Sequence, residues 1–246
     1  VYLLSEKNAV GTTSVAITDM EAAYKQLNGN YGVGMTTNQA ENSYGQQYQY
    51  TTNLTEPANI TGGYLIELNH DMWDEVSGFK TRQGVAFNVK SPEWCGDAAM
   101  RYISEYYQEF EDAVYATDET GTYTGYNAAT GKYFYDYVDM NSLVKVFLLQ
   151  ELSLNCDGFI SSVYFYMYAG PVWDQDMTFG TGWNKTNDAD IVDYHYLANA
   201  LIQIPTFKDA VAEYYNSEFA PAVREWLGTE GTIARHYALL KNNEAM

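Results

Sequence analysis

The segment opened by Asp139 and Ser142 carries Leu143, Val144, Phe147, Leu148 and Leu152, too apolar a set for a helix lying on a surface. It is predicted to be a central, buried helix, so the other elements must offer apolar faces to cover it. Upstream, Ala99, Tyr102, Ile103, Tyr106, Phe110, Ala113 and Val114 fall on one stripe. That stripe predicts a long helix to about Ala116, with Ser91 as cap and Pro92 in the first helical position. Gly62 to Leu68 reads as a strand, and Gly84 to Lys90 alternates in the same way, so the two are predicted to pair. Residues 1 to 6 also read as a strand. Thr18 to Glu21 has the form of a capping box opening a helix to about Leu27, with Asn28-Gly29 ending it. Residues 28 to 61 show weak periodicity and are expected to form an extended loop or irregular hairpin; 117 to 134 form a Gly-Thr-Tyr loop. After Gly180 a polar loop leads to helices at about 194 to 204, 206 to 218, 221 to 227 and 231 to 243, with breaks at Pro205 and Pro221. The order is α+β, strand-rich over residues 1 to 90 and mainly helical over 91 to 246.

Charge narrows the partners. The 246 residues hold 13 Lys and Arg against 32 Asp and Glu, a formal net charge of −19. Nucleic acid and anionic membrane are therefore poor partners, whereas basic peptides and divalent cations are good ones. A hydrophobic content of 46% excludes disorder, and no apolar run is long enough to span a bilayer. The bias towards Tyr, Asn, Thr and Asp points to a secreted or wall-associated bacterial protein, extracellular or at the cell surface. Cys95 and Cys156 could pair in an oxidising compartment; two buried thiols is the preferred reading. His70, His195 and His236 lie far apart, and a structural or surface role is expected for each.

Chemistry concentrates between Glu151 and Asp176. An acidic loop with Asn155 and Asp157 is followed by the β-prone run 162 to 168, a turn at Gly170-Pro171, and a second acidic strand. Asp174 and Asp176, two apart on an extended chain, share one face, and a hairpin can bring that face beside Asn155 and Asp157. Carboxylates gathered in this way repel one another unless a cation lies among them, and hard oxygen donors suit Mg²⁺, Mn²⁺ or Ca²⁺. Simpler roles stand beside this one. Asp174 and Asp176 could guard a strand edge, Asp157 before Gly158 could be a turn residue, and Asn155 could cap the preceding helix.

The runs Tyr137-Val138-Asp139-Met140-Asn141-Ser142-Leu143, Gln150-Glu151-Leu152, Asn155-Cys156-Asp157 and Gly170-Pro171-Val172-Trp173-Asp174-Gln175-Asp176 resemble, in this order, motifs of the spore-coat CotH-type protein kinase family. Val1 to Glu6, Gly63 to Glu67, Val89 to Glu93 and the tail from Leu197 to Phe207 are similar to further segments of that family. The resemblance implies a single kinase-like domain over residues 1 to 246, with an acidic hairpin at 155 to 178. It would transfer phosphate from Mg-ATP, or Mn-ATP, to Ser or Thr of coat or surface proteins. Asp157 would be the counterpart of the catalytic-loop aspartate with Asn155 beside it, Asp174 of the metal-holding aspartate, and Asp176 a second metal ligand. Such chemistry needs metal ions on the phosphate oxygens and a carboxylate that takes the hydroxyl proton.

Two departures from the family pattern bear on activity. Gln175 replaces an aromatic between the two aspartates. The family also has strands, with Lys and Arg, before the segment matched by Val1 to Glu6, so the chain is expected to be truncated at its N-terminus. Lys90 is the nearest candidate for holding nucleotide phosphate, although a Lys ending a strand is more often a surface residue. The expected protein partner is a basic segment containing Ser or Thr. The competing reading is a non-catalytic surface-assembly or metal-binding module that keeps the fold. A glycan-hydrolysing role ranks last, because two carboxylates on one strand face are too close to flank a sugar.

Overall fold

The computed structural model describes residues 10–12, 14–155, 157–161, 163–166, 178 and 196–241. Alternating residues build one antiparallel sheet from β1 (Thr37–Glu41), β2 (Gln47–Thr51), β3 (Leu65–Asn69), β4 (Gly78–Lys80), β5 (Ala86–Ser91) and β8 (Val163–Phe165), in the order β1-β2-β4-β5-β3-β8. The predicted pairing of residues 62 to 68 with 84 to 90 is the β3–β5 pair, with Glu67 opposite Asn88. Residues 28 to 61 are more regular than expected, because β1 and β2 form a hairpin attached to the sheet through β4. The run 162 to 168 contributes β8, so a strand from the second half of the chain closes the sheet of the first.

Period-2 alternation gives the sheet two different faces. Ile66, Leu68, Phe87, Val89, Val163 and Phe165 join the main core, with α2 (Asp97–Val114) packed on them. The Tyr107 ring of α2 lies 4.3 Å from Phe87 and 5.8 Å from Phe165, centroid to centroid. Leu65 and Tyr164 point the other way, to a small cluster with Val15. Glu67 and Lys90 share that second face by the same alternation.

α3 (Met140–Ser153) is the buried helix that its sequence requires. Asp139 caps it by accepting the Ser142 backbone N–H at 2.7 Å, and Leu143, Val144, Phe147 and Leu148 are buried. Phe147 meets Phe207 of α5 (Pro205–Tyr214) edge-on at 5.4 Å. A short β6 (Tyr126–Asn127) and β7 (Lys132–Tyr133) hairpin precedes α3. α4 (Ala198–Gln203), α6 (Ala220–Leu227) and α7 (Thr232–Leu240) complete the helical part.

Three predicted boundaries move. α1 (Met20–Leu27) is capped by Asp19, which accepts the Ala22 N–H at 2.8 Å, rather than by Thr18. The long helix does not start at Ser91-Pro92: Ser91 pairs with Leu65 in β5, its peptide to Pro92 is cis, and α2 begins at Asp97. Its first turn is satisfied from a distance, since Glu56 Oε1 accepts the Ala98 N–H at 2.8 Å and Tyr24 OH accepts the Gly96 N–H at 3.1 Å. Pro205 opens α5 as predicted, but Pro221 breaks nothing. A π-turn over Tyr215–Phe219, closed by the Ala220 N–H on Tyr215 O, widens the helix ahead of the proline and removes the usual clash. Cys95 is a buried thiol whose Sγ donates to Pro92 O at 3.2 Å, and burial pushes its pKa up; Cys156 lies outside the described residues.

Candidate functional site

α3 ends on Leu154 in the left-handed region at φ 49°, and five residues later Phe159 adopts the same conformation at φ 59°. Neither is glycine, and Phe159 is fully buried, so the turn between them is held by its surroundings. Asn155, itself buried, accepts the Asp157 N–H on Oδ1 at 3.2 Å and the Gly158 N–H on its backbone oxygen at 3.0 Å. Asp157 O accepts the N–H groups of Ile160 and Ser161 at 3.1 and 3.0 Å. The Ser161 hydroxyl donates to Asp157 Oδ2 at 2.7 Å, and Oδ1 has no hydrogen-bond partner among the described residues. A Cβ on Gly158 would come within 2.8 Å of the Gln150 side-chain amide and 3.2 Å of Asn155 O, so a side chain there requires Gln150 to shift. Both simpler roles are thus real: Asn155 closes the helix and Asp157 shapes the turn. Among the described residues they leave Asp157 Oδ1 without a hydrogen-bond partner.

Two residues beyond Ser161, β8 carries the chain along β3. Val163 faces Leu68, Tyr164 faces Glu67 and Phe165 faces Ile66. β8 therefore leaves the sheet at the end where Leu65 pairs with Ser91, beside Lys90.

Lys90 is not the free surface cation expected of a strand end. Its Nζ lies 2.7 Å from Glu75 Oε1 and 3.3 Å from Glu67 Oε2. Partial burial alone would lower its pKa, but the hydrogen bond to Glu75 and the field of Glu67 outweigh it and hold the ammonium above its ordinary value. Glu75 is fixed through its backbone oxygen, which accepts from Gln49 Nε2 at 2.8 Å, while Ser77 O receives the Val89 N–H at 2.9 Å. Lys90 and Glu75 line a cleft of about 520 Å³ that runs between α1, Leu65, Ser91, Glu93 and Tyr164. That volume lies within the range of small-molecule sites.

Of the five residues singled out by sequence, Asn155 and Asp157 lie in the turn before β8, at the Leu68 end of the β3–β8 pair, and Lys90 lies on β5 at the opposite, Leu65 end. Asp174 and Asp176 lie outside the described residues, and among the described residues no group of three His, Cys, Asp or Glu side chains could hold a metal ion. The sequence reading missed Glu67, assigning it no role; it is buried in the ladder and bound to Lys90. A carboxylate in the middle of an apolar strand was the available signal. Glu111 was also missed. It is 1% exposed on α2 and accepts from Gln108 and from the hydroxyl of Tyr196.

The family model described as CotH kinase protein matches residues 38–224. Comparison with curated proteins and with solved structures returned no match. The α+β arrangement of an antiparallel sheet with helices is compatible with the family match. No helix among the described residues is long and apolar enough to cross a membrane.

Proposed function

Because the chain belongs to the CotH kinase protein family, we propose that it is an atypical Ser/Thr protein kinase acting outside the cytoplasm. It takes the terminal phosphate of Mg-ATP, or Mn-ATP, to a hydroxyl of a coat or surface protein. The observation that carries this reading is the family match over residues 38–224.

Asp157 is the general base. The hydroxyl oxygen of the substrate forms a bond to the γ-phosphorus, the bond from that phosphorus to the bridging oxygen breaks to leave ADP, and the hydroxyl proton passes to Asp157. Ser161 holds Oδ2 of the carboxylate and Asn155 holds the Asp157 backbone N–H, so Oδ1 is the oxygen given the proton. Lys90 is the residue that this reading gives to nucleotide phosphate; its ammonium has three N–H donors, and Glu75 and Glu67 approach it at 2.7 and 3.3 Å. Asp174 and Asp176 would hold the divalent ion, which when bound supplies positive charge against the phosphate oxygens. A net charge of −19 favours a basic segment around the phosphorylated Ser or Thr.

One observation favours the second reading, a non-catalytic surface-assembly or metal-binding module. Two carboxylates around one ammonium leave the neighbourhood of Lys90 negative, which opposes a nucleotide. Labelled ATP, Mg²⁺ and a basic Ser-containing peptide separate the two. The kinase reading expects incorporation that EDTA stops and Asp157→Ala abolishes; no incorporation by the folded wild type would leave only the module.

A further inference from the structure

No residue of α7 is buried, and only Thr232 and Ala234 are half-buried. Ile233, Tyr237, Leu239 and Leu240 stand in solvent together with Trp226 and Leu227 of α6, at exposures between 37 and 74%. α7 is fastened at its start, where Arg235 meets Glu225 at 3.0 Å and donates to Glu230 O at 2.7 Å. A helix of nine residues is marginal in water by itself, and so many large apolar side chains on one helix pair mark a face that is covered. The family match ends at residue 224, so this face is an addition to the matched domain.

The distribution of charge identifies the cover. Residues 220 to 241 hold Arg224, Arg235 and Lys241 against Glu225 and Glu230, whereas the whole chain holds 13 Lys and Arg against 32 Asp and Glu. Two copies at −19 repel each other, and the repulsion is least where they meet through this segment. α7 is also complementary to itself. Glu230 stands just before its first turn and Lys241 just after its last, and neither side chain has an ion-pair partner among the described residues. Acidic at its start and basic at its end, the helix matches the same helix run in reverse. Between these charges Ile233, Tyr237 and Leu240 have the i, i+4, i+7 spacing of one apolar stripe.

We propose that α6 and α7 form an isologous interface with a second copy of this chain, the two α7 helices lying antiparallel. Setting Ile233 of one copy opposite Leu240 of the other puts Tyr237 beside the two-fold axis. The same register brings Glu230 of each copy within two residues of Lys241 of the other. Every contact is then made twice, so a single substitution acts twice on the dimer. The interface does not depend on the phosphotransfer reading.

The measurement is analytical ultracentrifugation of the whole chain over a concentration series, with circular dichroism confirming that each variant is folded. The wild type should pass from monomer to dimer as concentration rises to about 100 μM. Tyr237→Glu places two carboxylates at the axis and should raise the dimer Kd roughly a hundredfold. Glu230→Lys and Lys241→Glu should each raise it roughly five- to tenfold, and the two together should restore it to within about threefold of the wild type. These positions are exposed and outside the core, so the folded domain survives the changes. A wild type that stays monomeric would overturn the proposal and leave the face to a different partner. A dimer that Tyr237→Glu leaves intact, or that the paired charge exchange fails to restore, would overturn it too.

Discussion

The Ser161 hydroxyl donates to Asp157 Oδ2 at 2.7 Å, reaching back into a turn bounded by two residues of positive φ, Leu154 and Phe159. A helix end, a strained turn and the start of β8 are thus spent on the orientation of one carboxylate. Strain of this kind costs about 1–3 kcal/mol per residue and persists where the surroundings over-determine it. Here they do, because Phe159 is buried and Asn155 ties the turn back to α3.

Gly158 should therefore be intolerant of any side chain. A methyl group there would meet the Gln150 amide at 2.8 Å and Asn155 O at 3.2 Å, so the Gln150 side chain must shift and the turn give by a few tenths of an ångström. Gly158→Ala should lower the unfolding free energy by about 1–3 kcal/mol, read from urea midpoints at constant slope.

Tyr196, where the described chain resumes before α4, is tied to α2 by its hydroxyl on Glu111 and by the Leu197 N–H on Tyr115 OH at 3.2 Å. Glu111 is 1% exposed, so losing a partner cannot be made up by water. Tyr196→Phe should cost about 1–3 kcal/mol, the penalty for leaving a buried acceptor without its donor, and differential scanning calorimetry checks it.

Elements whose reason is local were legible in the sequence. The apolar content of residues 143 to 152 announced α3, Asp139 announced its cap, and alternation announced β3 and β5. Elements whose reason is distant were not. The Ser91-Pro92 cap signal gives way because Glu56 supplies an acceptor to Ala98 from 42 residues away. The pairing of β8 with β3 depends on a register that neither strand encodes alone. At the candidate site, Asn155 and Asp157 could be picked out from their pattern. Of the partners of Lys90, Glu67 was signalled only as a carboxylate inside an apolar strand, and Glu75 reaches it from the loop between β3 and β4, a contact that no local pattern encodes.

Alkaline pH should loosen the tyrosine-lined side of α2. Burial first, then the neighbouring Tyr102, Tyr137 and Glu109, push Tyr106 up to about 12 from its ordinary 10.0. A raised folded-state pKa means that the folded chain holds the phenolic proton more tightly. The stabilisation is therefore complete below pH 10 and is lost as pH rises through about 12. Denaturant unfolding across that window should show stability falling with pH, with a shallower fall in Tyr106→Phe. Tyrosinate absorbance should show late ionisation of one phenol in the wild type that the variant lacks.

The central claim, that Asp157 takes the substrate proton while Lys90 serves the nucleotide, is tested most directly by separating chemistry from binding in Asp157→Asn. The substitution keeps the acceptor for Ser161 and the shape of the turn but removes the basic carboxylate. Rapid-quench phosphoryl transfer should fall about 10²- to 10⁴-fold while the Kd for Mg-ATP stays within about twofold of the wild type. Undiminished transfer, or transfer lost only because nucleotide no longer binds, would contradict the account.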